Sequence, residues 1–266
     1  MRLTVIGGGF MGEAIVDQAI ARGIAQPDEV HVCEIHAARR EYLANRYKIT
    51  ASDGYHPVPE RVDALVLAVK PQDFPGVAER LRHHIAPEQL IVSIMAGVRM
   101  QHIGDALLRH HVVRVMPNLA AVVGEAFSIW TATEEVTAEQ RETVRTLLQT
   151  WGREMYTADE KLLDIATAVS GSGPGYVMLL LEALIDGAVH IGLRRDVATD
   201  MVVQTVLGAT RWVQATGRHP AELRGQVASA GGTTVEGLLA LERRAVRAAI
   251  IEAVIAGYEK SRALGS

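Results

Sequence analysis

Two glycine-rich segments of the sequence are suited to holding anions on backbone N–H groups. The first, Gly7-Gly8-Gly9-Phe10-Met11-Gly12, follows the apolar run Leu3–Ile6 and leads directly into an apolar helical pattern. Strand, G-x-G-x-x-G and helix in this order are typical of a turn that binds the pyrophosphate of a dinucleotide. In such a turn Gly7 permits the tight bend, Gly9 admits the phosphates to the backbone, and Gly12 lets the helix pack closely on the strand.

The second segment, Ser229-Ala230-Gly231-Gly232-Thr233-Thr234, lies between two helical patterns late in the chain. It offers consecutive backbone N–H groups beside two hydroxyls and runs into a helix. That combination is suited to binding a small carboxylate. Taken by itself, the segment fits a tight interhelical turn that binds nothing better than it fits an anion site.

An acidic residue, Glu34, ends the second predicted strand, Val30–Cys33. A dinucleotide-binding domain has its acid for the adenosine ribose hydroxyls at about this position. Because a carboxylate there repels a 2′-phosphate, Glu34 favours NADH over NADPH. Arg39 and Arg40 follow one helical turn later and could instead attract that phosphate, but we expect them to lie on an exposed helix face.

Further apolar runs predict the remaining strands of a sheet that is buried on both faces. These strands are predicted at 63–69, 90–94 and 112–116, with weaker candidates at 125–131 and 154–157 and a helix at 137–151 that Thr137 caps. Pro71, Ala96 and Asn118 follow the ends of three of them, at the carboxyl edge where ligands bind in such sheets. Lys70, at the same edge, is either a ligand-facing cation or a solvated strand end.

From residue 158 onward the pattern is almost entirely helical. Ser170-Gly171-Ser172-Gly173-Pro174 interrupts it, and Pro174 suits the first turn of a new helix. That helix is apolar nearly all round, as in a core element or an oligomer interface. The predicted fold is an α/β Rossmann-like domain over 1–157, doubly wound with a mostly parallel sheet, followed by an all-α domain over 158–266.

The composition argues against several classes of partner. A formal net charge of −4 without a long basic run is atypical of proteins that bind nucleic acid or anionic membranes. We expect no membrane span, since the longest apolar run, 177–184, contains Glu182. The single cysteine and the adjacent histidine pairs make poor metal sites, so no metal is expected. The chain opens in a strand, and a cytoplasmic location is expected.

Several motifs resemble those of one enzyme family, in order and spacing, essentially from end to end. They are Ala68-Val69-Lys70-Pro71, Met116-Pro117-Asn118, Ser170-Gly171-Ser172-Gly173-Pro174-Gly175-Tyr176, His219-Pro220 and the segment from Ser229 to Thr234. On these motifs the chain resembles the pyrroline-5-carboxylate reductases. The resemblance implies NAD(P)H-dependent reduction of the C=N bond of Δ1-pyrroline-5-carboxylate to L-proline, the last step of proline biosynthesis. It also implies a homodimer with interlocked helical domains that can assemble into a ring of dimers.

The resemblance also assigns roles to residues. The cofactor-binding set comprises Ile6, Gly7, Gly8, Gly9, Phe10, Met11, Glu34, Ala68, Val69, Lys70, Pro71 and Ala96, to which Asn118 is added by its place at a strand end. The substrate-binding set comprises Glu160, Gly231, Gly232, Thr233 and Thr234. Backbone N–H groups of the glycine loop would bind the substrate carboxylate. Thr234 would be the catalytic residue, its hydroxyl bonding to the ring nitrogen.

The sequence departs from the family pattern at Leu119-Ala120, Gly175, Ala230 and Glu34. These changes leave the choice between NADPH and NADH open and allow an alternative substrate, such as a piperideine carboxylate or a modified pyrroline. A β-hydroxyacid-type dehydrogenase would need a lysine base in the helical domain, and Lys161 and Lys260 lie in no such motif. A nucleotide sensor without turnover would have no use for the second glycine-rich segment.

Overall fold

The computed structural model describes residues 1–54 and 62–264, which form two compact units. One unit comprises Met1–Ser172 with Ala256–Ser266, and the other comprises Gly173–Ile255. Parts of both predicted domains, namely 55–61 of the first and 265–266 of the second, lie outside the described residues. The predicted division at residue 158 stays a prediction.

The first unit is built on one sheet in the order β3-β2-β1-β4-β5-β6-β7-β8. Its strands are β1 (Leu3–Ile6), β2 (Val30–Cys33), β3 (Thr50–Ser52), β4 (Ala64–Leu67), β5 (Ile91–Ser93), β6 (Val112–Met116), β7 (Ala126–Ala132) and β8 (Gly152–Tyr156). All neighbouring pairs are parallel except β6 and β7. The first six strands have the Rossmann order 3-2-1-4-5-6, which confirms the predicted doubly wound, mostly parallel sheet.

Several strands differ in extent from their predictions. The strand predicted at 63–69 ends at Leu67, because its neighbour β1 offers only four residues for pairing. Both weaker candidates are real strands, β7 and β8. The edge strand β3 was not predicted, since three half-exposed residues carry too little apolar pattern.

Helices cover both faces of this sheet. They are α1 (Phe10–Ala21), α2 (Ala37–Tyr47), α3 (Phe74–Leu81), α4 (Met100–Leu107), α5 (Ala138–Thr150) and α6 (Lys161–Ala166). Alternate strand residues point to opposite faces, so Val5 belongs to one core with Ile15 and Leu148. Leu67 belongs to the other core, with Phe74. A sheet buried on both faces explains why its strands read as continuous apolar runs.

The helical pattern after β8 is interrupted less than the sequence predicts. Residues Thr167–Gly171 continue α6 as a π-helical turn, and α7 (Gly173–His190) begins after Ser172 alone. The hydroxyls of Ser170 and Ser172 donate to Ala166 O and Thr167 O, so they bond within the turn itself. The expected break over 170–174 is therefore confined to Ser172, and Pro174 lies in the first turn of the new helix as expected. The hydrogen bonds from these serine side chains to backbone carbonyls stabilise the widened turn. Without them, a run of such small residues would be expected to end the helix.

The second unit is helical. Besides α7 it contains α8 (Arg195–Thr216), α9 (Pro220–Val227), α10 (Thr233–Arg243) and most of α11 (Val246–Leu264). The helix α8 ends before Gly217, which lies in the left-handed region at φ 62°. His219 caps α9, its Nδ1 accepting from Ala221 N at 3.2 Å.

The apolar side chains of these helices are largely exposed in the single chain. No residue of α7 is buried, and Leu179 remains 66% exposed. Exposed apolar area on this scale marks an interaction surface. Of the two alternatives left by the sequence, core element or oligomer interface, the structure supports the interface.

Length and hydropathy alone would allow one helical run, Lys161–His190, to cross a bilayer, with a mean hydropathy of 1.4 over its best window. This differs from the expectation that no run is long enough, because the helix extends far beyond the strictly apolar residues 177–184. A single helix of this kind is weak evidence for a membrane span, since an apolar subunit interface meets the same criterion.

The capping box at the start of α5 generates a stability prediction. Thr137 Oγ1 accepts from Gln140 N at 3.2 Å, and Gln140 Oε1 accepts from Thr137 N at 3.1 Å. Replacing Thr137 by alanine should lower the free energy of unfolding by about 1 kcal/mol, measured by urea denaturation. Thr143→Ala is the control, because among the described residues that hydroxyl bonds only to Glu139 O of its own helix. Equal stability of the two variants would contradict the capping role.

Candidate active site

The glycine turn, defined as Gly7 to Gly12, lies between β1 and α1. Gly7 has φ +102°, and a Cβ there would approach Ala68 O to 2.7 Å. A Cβ on Gly12 would overlap Gly7 O, whereas one on Gly9 would meet nothing within 4 Å. Two glycines thus bring α1 close to the sheet, and the third leaves open space at the helix N-terminus. This open, N–H-bearing cradle fits the pyrophosphate of a dinucleotide.

Glu34 lies beside the glycine turn. Its side chain is buried, with Oε2 accepting from Gly8 N at 3.0 Å and Oε1 accepting from His36 N at 2.8 Å. The carboxylate is therefore held at the end of β2 by two backbone donors. A Cβ on Gly8 would come within 3.3 Å of Glu34 Oε2, so the absence of a side chain at Gly8 permits this packing.

Arg39 and Arg40 do not lie on an exposed helix face, contrary to the sequence-based expectation. Both are half-buried at the start of α2. Arg39 Nε donates to Gly8 O at 2.7 Å, and its guanidinium also pairs with Glu13. Arg40 donates to Glu34 O at 2.9 Å. The carbonyls of Gly8, in the glycine turn, and Glu34, at the end of β2, need hydrogen-bond donors, and the two arginine side chains supply them.

The other predicted cofactor residues lie at the carboxyl ends of neighbouring parallel strands. The strands β1, β2, β4, β5 and β6 share one direction, so their carboxyl ends lie at one edge of the sheet. Ile6 is the last residue of β1, and the residues that follow strand ends at this edge are Glu34, Ala68, Val69, Lys70, Pro71, Ala96 and Asn118. The turn after β4 is tied to β1 by a bond from Ala68 N to Ile6 O at 2.8 Å. Phe10 is exposed and Met11 half-buried at the start of α1. Lys70 is exposed, which is compatible both with a cation that faces a ligand and with a solvated strand end.

The Asn118 side chain has structural partners. Its Oδ1 accepts from Ala120 N at 3.2 Å and caps a short helical turn, while Nδ2 donates to Ser170 O at 2.9 Å. The amide thus ties the end of β6 to the π-helical turn. Its predicted cofactor contact remains a prediction.

Glu160 belongs to a charged cluster that the sequence did not predict. Arg114, on β6, is 2% exposed and pairs with Glu160 at 3.2 Å and with Asp164 at 2.7 Å. Glu160 Oε1 also accepts from Met100 N at 2.9 Å. Among the described residues, no group bonds to Glu160 Oε2, so one carboxylate oxygen is fixed and the other is free. A lone arginine inside an apolar strand was the available signal, since a buried cation needs carboxylate partners.

The second glycine-rich segment forms the connection between α9 and α10. Gly231 has φ +70°, and Gly232 is the N-cap of α10 with its N–H donating to Ser229 O at 3.0 Å. Thr233 and Thr234 are the first two helical residues, so their N–H groups have no acceptor within the helix. Within the described part of the chain, neither threonine hydroxyl has a hydrogen-bond partner. The segment therefore presents backbone and side-chain donors together.

The strand order, the glycine turn and the acid at the end of β2 define a nicotinamide-dependent oxidoreductase with a Rossmann domain and a helical C-terminal region. Models of two families match the chain. One, described as NADP oxidoreductase coenzyme F420-dependent, covers residues 2–97, and the other, described as pyrroline-5-carboxylate reductase dimerisation, covers residues 160–264.

Similar proteins extend the match over the full chain. The pyrroline-5-carboxylate reductase of Synechocystis sp. is 40% identical over 265 residues, covering 100% of this chain and 98% of that protein. That of Methanosarcina acetivorans is 37% identical, covering 99% and 98%. The crystal structure of Plasmodium falciparum pyrroline carboxylate reductase with NADP bound has a TM-score of 0.91 at 28% identity, covering 100% and 98%.

The chain belongs to the pyrroline-5-carboxylate reductase family. The predicted family and the predicted class of NAD(P)H-dependent oxidoreductase are thus confirmed. The match to the dimerisation model shows a homo-oligomer, which accounts for the exposed apolar faces of the second unit.

The Arg114 cluster generates a prediction about stability. Arg114→Met keeps an extended side chain but leaves the Glu160 and Asp164 carboxylates without their buried cation. The free energy of unfolding should fall by about 3–5 kcal/mol, measured by chemical denaturation. Arg145→Met, which removes a half-exposed arginine paired with Glu142 at 2.7 Å and with Glu154 at 3.5 Å, should cost less, about 1 kcal/mol. Similar losses in both variants would contradict a special role for Arg114.

Proposed function

We propose that this protein reduces the C=N bond of Δ1-pyrroline-5-carboxylate to give L-proline, with NADH as the preferred reductant. Membership in the pyrroline-5-carboxylate reductase family supports the reaction. The observation that carries the proposal is the Gly231–Thr234 segment, where the N–H groups of Thr233 and Thr234 lie in the first turn of α10 and, within the described part of the chain, neither threonine hydroxyl has a hydrogen-bond partner. This donor set matches a substrate with one carboxylate beside a ring nitrogen.

The reaction asks little of the protein beyond binding and orientation. When bound, the reduced nicotinamide supplies the hydride. N–H groups of Thr233 and Thr234 bind the substrate carboxylate, while the Gly232 N–H stays bonded to Ser229 O and Gly231 supplies the left-handed turn before them. The Thr234 hydroxyl bonds to the ring nitrogen and stabilises its protonated form, which makes the adjacent carbon electrophilic. The carboxylate stays ionised while the nitrogen carries the proton.

Glu160 contributes the complementary charge. Its Oε1 is fixed by Arg114 and Met100 N, and among the described residues no group bonds to its Oε2, so its substrate-binding role is proposed on the family resemblance and on its charge. With one arginine against two carboxylates, the cluster of Arg114, Glu160 and Asp164 has a net charge of −1. A negative charge here favours the iminium over the neutral imine.

The assembly that we propose is a homodimer with interlocked helical regions, which can associate into a ring of dimers. The exposed apolar faces of α7 and α8 support such an interface, since Leu179 and Met201 remain exposed in the single chain. A soluble, cytoplasmic enzyme without nucleic-acid or membrane partners fits the net charge of −4 and a role in proline biosynthesis.

The reaction is tested by adding Δ1-pyrroline-5-carboxylate to the protein with NADH and following absorbance at the nicotinamide band. L-Proline should form in step with NADH oxidation. The six-membered piperideine carboxylate should react more slowly. Faster turnover of that homologue would indicate that the alternative substrate, which Ala230 and Leu119 permit, is the preferred one. Reduction of neither compound would contradict the proposed reaction.

Thr234→Ala should lower kcat/KM for the imino acid by about ten- to a thousandfold, the range for loss of one oriented hydrogen bond to developing charge. Steady-state kinetics with a saturating reductant measure the effect. Thr143→Ala, whose lost hydroxyl lies in α5, should leave kcat/KM unchanged. Wild-type kinetics in Thr234→Ala would remove this residue from the mechanism.

Glu34 is expected to set the cofactor preference. Glu34→Gln keeps an oxygen for Gly8 N but removes the negative charge that repels a 2′-phosphate. The kcat/KM for NADPH should rise about tenfold, with a smaller change for NADH. Both reductants are compared in the same steady-state assay. A wild-type enzyme that strongly prefers NADPH would exclude this role for Glu34.

A further inference from the structure

A polar cluster joins α1 and α2 next to the glycine turn. Glu13, in the first turn of α1, accepts hydrogen bonds at Oε1 from Tyr42 Oη at 3.0 Å and from Tyr47 Oη at 2.9 Å. Its Oε2 pairs with the Arg39 guanidinium, and Arg46 Nε lies 3.9 Å from Oε1. We call these five residues the Glu13 cluster. Both oxygens of Glu13 are thus occupied by partners from α2.

The charge state of Glu13 is consistent with these contacts. Partial burial by itself raises the pKa of Glu13, but hydrogen bonds donated by Arg39, Tyr47 and Tyr42 outweigh it and hold the pKa below its ordinary value. Glu13 is therefore ionised at neutral pH and neutralises Arg39. A carboxylate held by three donors from one helix is a built arrangement rather than a chance surface pair.

The Glu13 cluster contacts the glycine turn at Gly8. Arg39 Nε donates to Gly8 O at 2.7 Å, while Glu34 Oε2 accepts from Gly8 N at 3.0 Å. Arg39 and Glu34 therefore flank the same residue of the glycine turn. In Rossmann domains the acid at the end of β2 binds the ribose 2′-hydroxyl, and an arginine nearby accommodates the 2′-phosphate of NADP. By position, Arg39 is the arginine that could do so here.

We infer that Glu13 is a cofactor-specificity residue, which withholds Arg39 from the 2′-phosphate of NADPH. Arg39 is held against Glu13 and the carbonyl of Gly8, so its charge is neutralised and its donors are aimed at the turn. A 2′-phosphate placed beside Glu34 therefore gains little from Arg39, whose charge and donors are already engaged. The inference rests on the proposed function, because it explains the proposed NADH preference. Glu13 would add to the effect of Glu34 without contacting the nucleotide itself.

The test is a double-mutant cycle read by calorimetric binding of NAD⁺ and NADP⁺ to the full-length protein. Glu13→Gln keeps acceptors for Tyr42 and Tyr47 but releases Arg39 from its ion pair. The Kd for NADP⁺ should fall about tenfold, while that for NAD⁺ stays within about twofold. In an Arg39→Met background, Glu13→Gln should leave the Kd for NADP⁺ unchanged, because the released cation is absent.

Controls separate this effect from general loss of charge or structure. Glu142→Gln removes a carboxylate paired with Arg145 on α5 and should alter neither Kd. Far-UV circular dichroism and Tm verify that each variant folds, and Glu13→Ala replaces Glu13→Gln if the latter does not. The kcat/KM for NADPH should rise in parallel with binding.

Two results would overturn the inference. One is an unchanged Kd for NADP⁺ in folded Glu13→Gln and Glu13→Ala. The other is weaker NADP⁺ binding in Arg39→Met with Glu13 intact, because Arg39 would then already bind the phosphate. Failure of the proposed function looks different. If the wild type prefers NADPH, or reduces no cyclic imino acid, the proposed function fails. The Kd values for NADP⁺ in the Glu13 and Arg39 variants can still be measured and compared, because they do not depend on turnover.

Discussion

The close approach of α1 to the sheet is the constraint on which the rest of this structure depends. Gly12 packs against Gly7 O at a distance that no side chain would allow, and Gly7 adopts a φ that L side chains rarely adopt. This contact directs the N-terminus of α1 across the carboxyl edge of the sheet. Glu34 and Arg39 then hold Gly8 by its N–H and by its carbonyl, so the turn is fixed from both sides.

Buried charge plays the corresponding part further along the chain. Arg114 lies inside the sheet, and Glu160 and Asp164 must approach it because an unpaired guanidinium in such surroundings is costly. The pairing fixes one oxygen of Glu160 and leaves the other free. Glu160, which the family resemblance assigns to substrate binding, is thus positioned by Arg114, to which the resemblance assigns no role.

Much of the fold could be predicted from local pattern. Continuous apolar strands, the glycine fingerprint and the motifs around Ser170 and Ser229 led to the doubly wound domain and to the family. The bounds of α8 were also predictable, since Gly217 ends the helix through a local backbone preference. Errors arose where pattern is weak, at the three-residue strand β3, or where side-chain bonds replace a break, at the π-helical turn over Thr167–Gly171.

What the sequence by itself determined is therefore the class of fold and the family, because these depend on residues adjacent in the chain. Only the tertiary structure decided which charged groups meet. Glu13 lies 26 residues from Arg39, and Arg114 lies 50 from Asp164. No periodicity encodes such pairs, since their energies depend on distance and burial in the folded chain. Arg39 therefore looked like an exposed helix residue in the sequence, and only the fold placed it against Glu13 and the glycine turn.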